Sequence, residues 1–298
     1  MPDDNSTETV KAAKSPSDYS SATAQHGTGP IRSTVGKPLP LFPLDIPVLN
    51  ELQGKRIILA SASPRRKQLL SQIGLTDLEI IPSTEPENLS KSTLGAFEYV
   101  SQTSSKKCLA VYIAALESSS TNNQNADGTS IPEPALVIAA DTVIVAADER
   151  ILEKPRSEAD HVAMLKLLRD QKVHKVYTAV TVLAPREDAR HPGYNAETIV
   201  EETSVVFDAD LGDDMILAYV RTREGADKAG GYGIQGMGSL LIERIEGAWD
   251  NVVGLPLRAT LRSIERVVFM QDGEDDEEGH ESEDDGNGGW LGQFITGK

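Results

Sequence analysis

Short apolar runs alternate with helical stripes along the chain from about Pro47 to Gln271. The run RIILA, Arg56 to Ala60, predicts a buried strand. Ser63 and Pro64 then open a helix, with serine at the N-cap and proline at the first helical position. Its apolar face is Leu69, Leu70 and Ile73, and Gly74 stops it. Leu78 to Pro82 predicts a second strand, and Gly95 to Glu117 a helix carrying Lys106 and Lys107 on its polar side. ALVIAADTVIVAA, Ala135 to Ala147, predicts a strand that Ile151 to Lys154 returns after a tight turn. Ser157 caps a further helix, with Asp160 three positions on and Met164, Leu165 and Leu168 facing inward. Strands rich in Val and Thr follow at Val173 to Ala184 and Thr198 to Phe207. A helix at Asp213 to Arg221, a strand at Leu240 to Ile245 and a helix at Pro256 to Val267 complete the pattern. Strands and helices mix throughout, so the expected class is α/β or α+β with a mixed sheet.

Composition narrows the setting. The chain has 298 residues, a net charge of −17 and one cysteine. That length suits one large or two small domains. A single cysteine excludes an intrachain disulfide and a multi-cysteine zinc site. No uncharged apolar run reaches the roughly eighteen residues a membrane-spanning helix needs, so no membrane partner is expected. MPDDNSTETV lacks the apolar core of a secretory signal. The acidic balance argues against a nucleic-acid partner. A cytoplasmic protein is the expectation.

The charge is uneven. Asp272 to Gly288 holds ten acidic residues and no Lys or Arg, which predicts a disordered tail over 272–298. Residues 1–46, rich in Ser, Thr, Pro and Gly, predict a disordered leader. Ser118 to Pro134 predicts a surface loop inside a folded unit of 47–271.

Two segments carry the strongest chemical signals. In SASPRRKQLL, Arg65 and Arg66 occupy a first helical turn, where the macrodipole disfavours cations. Free backbone N–H groups, the arginine forks and the Ser61 and Ser63 hydroxyls together suit a phosphate; the competing reading is a solvated arginine pair. Asp141 lies inside an apolar strand, where a carboxylate is costly unless paired, hydrogen-bonded or metal-bound. Thr142 points to the opposite face.

Three weaker signals accompany them. Lys154 could neutralise a phosphate, though alone it reads as an exposed lysine. GGYGIQGMG, Gly230 to Gly238, allows positive φ and close backbone approach, and the Gln235 amide could bond a base edge. It matches neither the dinucleotide fingerprint nor a Walker A loop. Glu85 and Glu87 follow a strand end, where a second carboxylate near Asp141 would suit Mg²⁺. His161, His174, His191 and Cys108 show no metal-ligand spacing, and Trp249 reads as packing against the last helix.

Taken together, LASASPRR (59–66), AADTVIV (139–145), LEKP (152–155), DKAGGYGIQG (227–236) and NVVGLPL (251–257) resemble the Maf family of nucleoside triphosphate pyrophosphatases. The likeness is nearest to the Maf domain of acetylserotonin O-methyltransferase-like proteins, and their methyltransferase domain is not expected here. The resemblance implies an elongated mixed sheet with flanking helices and a cleft between two lobes, like inosine triphosphate pyrophosphatases. It implies cleavage between the α and β phosphates with a divalent metal cation, Mg²⁺ or in its place Mn²⁺ or Co²⁺, and a homodimer. By position it makes Asp141 the proton acceptor and a metal ligand with Glu87, and places Lys154 in catalysis. Ser61, Ser63, Arg65, Arg66, Thr142 and Gln235 then bind substrate. The Asp141-Thr142 pair resembles the dTTP/UTP type, whereas Met237 and Gly238 depart from the commoner small pair. A non-catalytic nucleotide-binding regulator of cell division and a purine-type pyrophosphatase are the alternatives.

Overall fold

The computed structural model describes residues 44–86, 89–90, 93–120, 130–186 and 193–269. Glu87, His191, residues 1–43 of the leader and the whole acidic tail lie outside the described residues.

The chain runs through α1 (Pro47–Glu51), β1 (Ile57–Leu59), α2 (Pro64–Gln72), β2 (Leu78–Ile80) and α3 (Ala96–Ser120). Next come β3 (Leu136–Val145), β4 (Ile151–Leu152), α4 (Glu158–Gln171), β5 (Val173–Pro185) and β6 (Tyr194–Phe207). After α5 (Asp213–Thr222), 3-10 turns at Ala229–Gly231 and Met237–Leu241 lead into β7 (Ile242–Glu246), α6 (Trp249–Val253) and α7 (Leu257–Phe269). Among the described residues seven strands make one mixed sheet in the order β2-β1-β3-β5-β6-β7, with β4 also on β3. β1 pairs in parallel with β2 and β3; every other pairing is antiparallel. This bears out the mixed α/β class.

The predicted caps are present. Ser63 accepts from the Arg66 N–H with Pro64 in the first turn, and Ser157 accepts from the Asp160 N–H at 3.1 Å. Three expectations need correction. The residues before Ile242 form a 3-10 turn rather than strand, because Ser239 bonds locally to Gly236 and is bonded in turn by Ile242. Trp249 opens α6 with its side chain 43 % exposed instead of packed away. Lys107 is not on the polar side of α3. It falls among Thr103, Ser104, Cys108 and Val111 on the buried stripe, while Lys106 is exposed. α1 and α6 have five residues each, too few to show a period.

β3 decides where chemistry can happen. One face carries Leu136, Ile138 and Ala140 into a cluster with α2 and α7, and then, past Thr142, carries Ile144 into a second cluster with α4 and α5. The opposite face carries Val137 and Ala139 under α3, and then, past Asp141, carries Val143 against Tyr99 and Val100. Asp141 and Thr142 therefore stand at the seam between apolar clusters on both faces of the sheet.

Candidate active site

β5 pairs with β3 from Val137 to Val145 along one edge. The other edge is shared: β1 takes Leu136 to Ile138, and β4 takes Ile144 and Val145. Between them, among the described residues, Ala140 to Val143 have a strand neighbour on one edge only. The cleft opens at this break, just past the carboxyl end of β1, the place where open α/β sheets bind ligands. Its volume is about 880 Å³, and Ser61, Ser63, Arg65, Arg66, Asp141, Thr142, Lys154 and Gln235 all line it. Eight of the nine predicted site residues are thus brought together; the ninth, Glu87, lies outside the described residues.

Arg66 fills the break. Its Nη1 donates to the Ala140 carbonyl at 2.8 Å and to Ser61 Oγ at 3.1 Å. Its Nε donates to the Gly254 carbonyl at 2.9 Å, and its Nη2 to Thr142 Oγ1 at 3.0 Å. The guanidinium at an unfavourable helix start is thus compensated by protein oxygens, and it ties α2 to β3 and to the end of α6. Gly254 closes that end at φ 118°, a left-handed conformation suited to glycine. Thr142 is held in turn by Thr178, its cross-strand neighbour, at 3.0 Å.

Asp141 is buried, and its Oδ1 accepts from Lys107 Nζ at 2.8 Å. Burying a carboxylate in an apolar strand is tolerable with such a partner. Sequence reasoning missed Lys107, although its place four residues after Thr103 and four before Val111 was a signal that it lies on the buried stripe. Arg65 is half-buried and reaches Asp227 Oδ2 across the cleft at 3.3 Å. Lys154 is exposed at the cleft, with no hydrogen-bonding partner among the described residues.

The glycine-rich segment forms the opposite wall. Gly230 and Gly231 adopt φ of 70° and 75°. A Cβ on Gly230 would strike Ile144, and one on Gly231 would strike His161. Two histidines assigned nothing from the sequence anchor this wall. His161 Nε2 meets the Gly231 carbonyl, and His174 Nε2 meets the Tyr232 hydroxyl at 2.7 Å. Burial pushes the His174 imidazole down to about 3, and it pushes the Tyr232 phenol well above its usual range, so both stay neutral. Glu224 and Asp227, also missed, lie on the turn before the wall. Burial opposes their ionisation, but backbone donors to Glu224, and Lys228 and Arg65 beside Asp227, hold both carboxyls below their usual values. Cys108 is buried with its thiol raised by desolvation, which keeps it inert.

The donor set bears on the metal. Among the described residues no three His, Cys, Asp or Glu side chains group closely enough to hold an ion. Asp141 offers one carboxylate already engaged by Lys107. Mg²⁺ commonly binds through one or two carboxylates together with substrate phosphates. The residues fit an ion of that kind, arriving with a triphosphate, better than a resident all-protein site.

Comparison with known proteins agrees with the geometry. Residues 56–267 match the family model described as Maf-like protein. A Schizosaccharomyces pombe protein named dTTP/UTP pyrophosphatase is 47 % identical over 235 residues, covering 78 % of this chain and 91 % of the relative. An Acetivibrio thermocellus protein of the same name is 43 % identical over 202 residues, 68 % of this chain and 90 % of the relative. A Homo sapiens protein named "Probable bifunctional dTTP/UTP pyrophosphatase/methyltransferase protein" is 34 % identical over 230 residues, 77 % of this chain and 35 % of the relative. With a seam-sited aspartate, an arginine-closed sheet break and a family match spanning the described fold, the chain belongs to the Maf-like protein family.

Proposed function

We propose that this chain is a nucleoside triphosphate pyrophosphatase acting on dTTP and UTP, releasing the nucleoside monophosphate and pyrophosphate. The observation that carries the reading is the buried Asp141–Lys107 pair at the break in β3, facing a cleft edged by Arg65 and Lys154. The names of relatives up to 47 % identical support it.

The triphosphate lies along the cationic side of the cleft, with Ser61, Ser63, Arg65 and Lys154 on its oxygens and Arg66 holding the wall behind them. A water oxygen attacks the α-phosphorus, the bond from that phosphorus to the α–β bridging oxygen breaks, and pyrophosphate departs. Asp141 accepts the proton from the water. Lys107 keeps that carboxylate oriented and its charge compensated. Lys154 offsets charge gathering on the leaving group. Mg²⁺ held by Asp141 and Glu87 would neutralise phosphate charge. Gln235, with an amide that both donates and accepts, meets the pyrimidine edge, and Thr142 holds Arg66 in its wall. A cytoplasmic homodimer with no nucleic-acid partner completes the reading; the net charge of −17 supports the last point.

The test is product release from dTTP, UTP, CTP, ITP and 7-methyl-GTP, with Mg²⁺ and with chelator. Equal pyrophosphate and monophosphate from dTTP and UTP, lost with chelator, is expected. Folded protein that binds nucleotide without turnover would make it a regulator instead. Preference for ITP would make it the purine type.

A further inference from the structure

Gln235 makes no side-chain hydrogen bond among the described residues, and it is exposed at the cleft. Whatever places it must act through its backbone. That backbone is a tight turn in which the Gly236 N–H meets the Gly233 carbonyl at 3.3 Å. Both sides of the turn are pinned to one carboxylate. Glu224 Oε2 accepts from the Met237 N–H at 2.8 Å, and Oε1 accepts from the Gly238 N–H at 2.9 Å. On the near side the Gly233 N–H donates to the Tyr219 hydroxyl at 3.1 Å, and that hydroxyl donates to Glu224 Oε1 at 3.2 Å. The fit leaves no slack: a Cβ on Gly236 would lie on top of the Glu224 carboxylate, and one on Gly238 would overlap the Gly233 backbone and the Tyr219 hydroxyl. Backbone N–H groups arranged around an anion form a nest. Here the protein fills the nest with its own glutamate, so Glu224 serves the loop and its oxygens are spent before substrate arrives.

We infer that Glu224 is a positioning residue for base selection, acting with Tyr219 to hold the turn that presents Gln235. This rests on the reading of Gln235 given above. Hydrogen bonds to a charged acceptor are among the stronger ones, and losing them frees the turn while leaving the phosphate side of the cleft intact.

The experiment measures kcat and KM for dTTP and CTP in wild type, Gln235→Ala, Glu224→Ala, Glu224→Gln, Glu224→Asp and the Glu224→Ala/Gln235→Ala double variant, with melting curves for each. Glu224→Ala should raise the KM for dTTP about tenfold or more, with a smaller change in kcat. It should also narrow the dTTP-to-CTP ratio of kcat/KM to that of Gln235→Ala, and the double variant should be no worse than the single ones. Glu224→Gln keeps one acceptor but turns its NH2 toward the other N–H, so its ratio should lie between those of Glu224→Ala and the wild type. Should Glu224→Ala fail to fold, Glu224→Asp carries the test: it keeps the charge but is one methylene too short for both N–H groups, and should show the same narrowing. A wild-type ratio in folded Glu224→Ala or Glu224→Asp, while Gln235→Ala relaxes selection, would overturn the role of Glu224. A wild-type ratio in Gln235→Ala would overturn the reading of Gln235 itself.

Discussion

At the scale of single residues the reading turns on a charge that has to be compensated. Asp141 sits in an apolar strand beside an ammonium whose side chain is only 14 % exposed. Asp141→Asn keeps the shape and removes the proton acceptor. Turnover of dTTP should fall about a thousandfold or more, with nucleotide binding measured by titration calorimetry staying within about tenfold. Loss of the fold instead would make Asp141 structural. Lys107→Met should lower kcat about a hundredfold while moving KM less, because it removes a charge beside the reacting group. Lys107→Arg should recover part of that rate in the same assay. Asp141 and Arg66 were legible in the sequence because each breaks a physical rule: a carboxylate in an apolar run, a cation at a helix start. Lys107 breaks none. A lysine next to a second lysine on an amphipathic helix reads as solvated unless its spacing from Thr103 and Val111 is followed along the buried stripe.

At the scale of elements, the caps and most strands follow from pattern, since Ser63, Pro64, Ser157 and the Val-rich runs each act locally. The glycine-rich wall does not. Its five glycines show that backbone must pass close to something, but the partners lie elsewhere in the chain, on α4, β5 and the turn at Glu224. His174 is one such partner. Phe207 and Tyr232 meet its ring edge-on, with centroids 4.9 and 5.5 Å away. Burial holds it down to about 3 from an ordinary value of 6.5. The unfolded chain therefore binds a proton that the folded chain refuses between these values. The stabilisation from a neutral His174 is complete above about pH 6.5 and is lost as the pH falls toward 3. Unfolding free energies from urea titrations between pH 7 and 4.5 should fall for the wild type by at most about 1.4 kcal/mol per pH unit from this group. His174→Gln, which cannot titrate, should be less stable at pH 7 and show a flatter profile. Parallel profiles for the two would remove His174 from the pH response.

Across the described residues the sheet is one but its core is four clusters, and the polar positions lie where clusters meet. The sequence could predict a mixed sheet, but not that β1 and β4 would share an edge of β3 and leave a break between them. Strand order depends on pairings more than 70 residues apart, as between Leu59 and Ile138, and no local pattern encodes those. The consequence is a site assembled from the whole length of the unit: α2 and β3 on one side, Lys154 beside the β4 return, the Glu224 to Gly236 wall, and Gly254 after α6. Arg66 alone bonds oxygens from positions 61, 140, 142 and 254. A ligand spanning this cleft binds only when these segments are docked together, so it should stabilise the folded state by an amount that grows with the logarithm of its concentration over its Kd. A dUTP analogue with a methylene in place of the α–β bridging oxygen, supplied with Mg²⁺ at about a hundredfold excess over its Kd, should raise Tm by about 5–10 °C. The same analogue should raise it by less with Arg65→Ala, which removes one phosphate contact and leaves the Arg66 clamp in place. An unchanged Tm at demonstrated saturation would mean that the nucleotide binds the thermally unfolded chain as well, and so does not need the docked cleft.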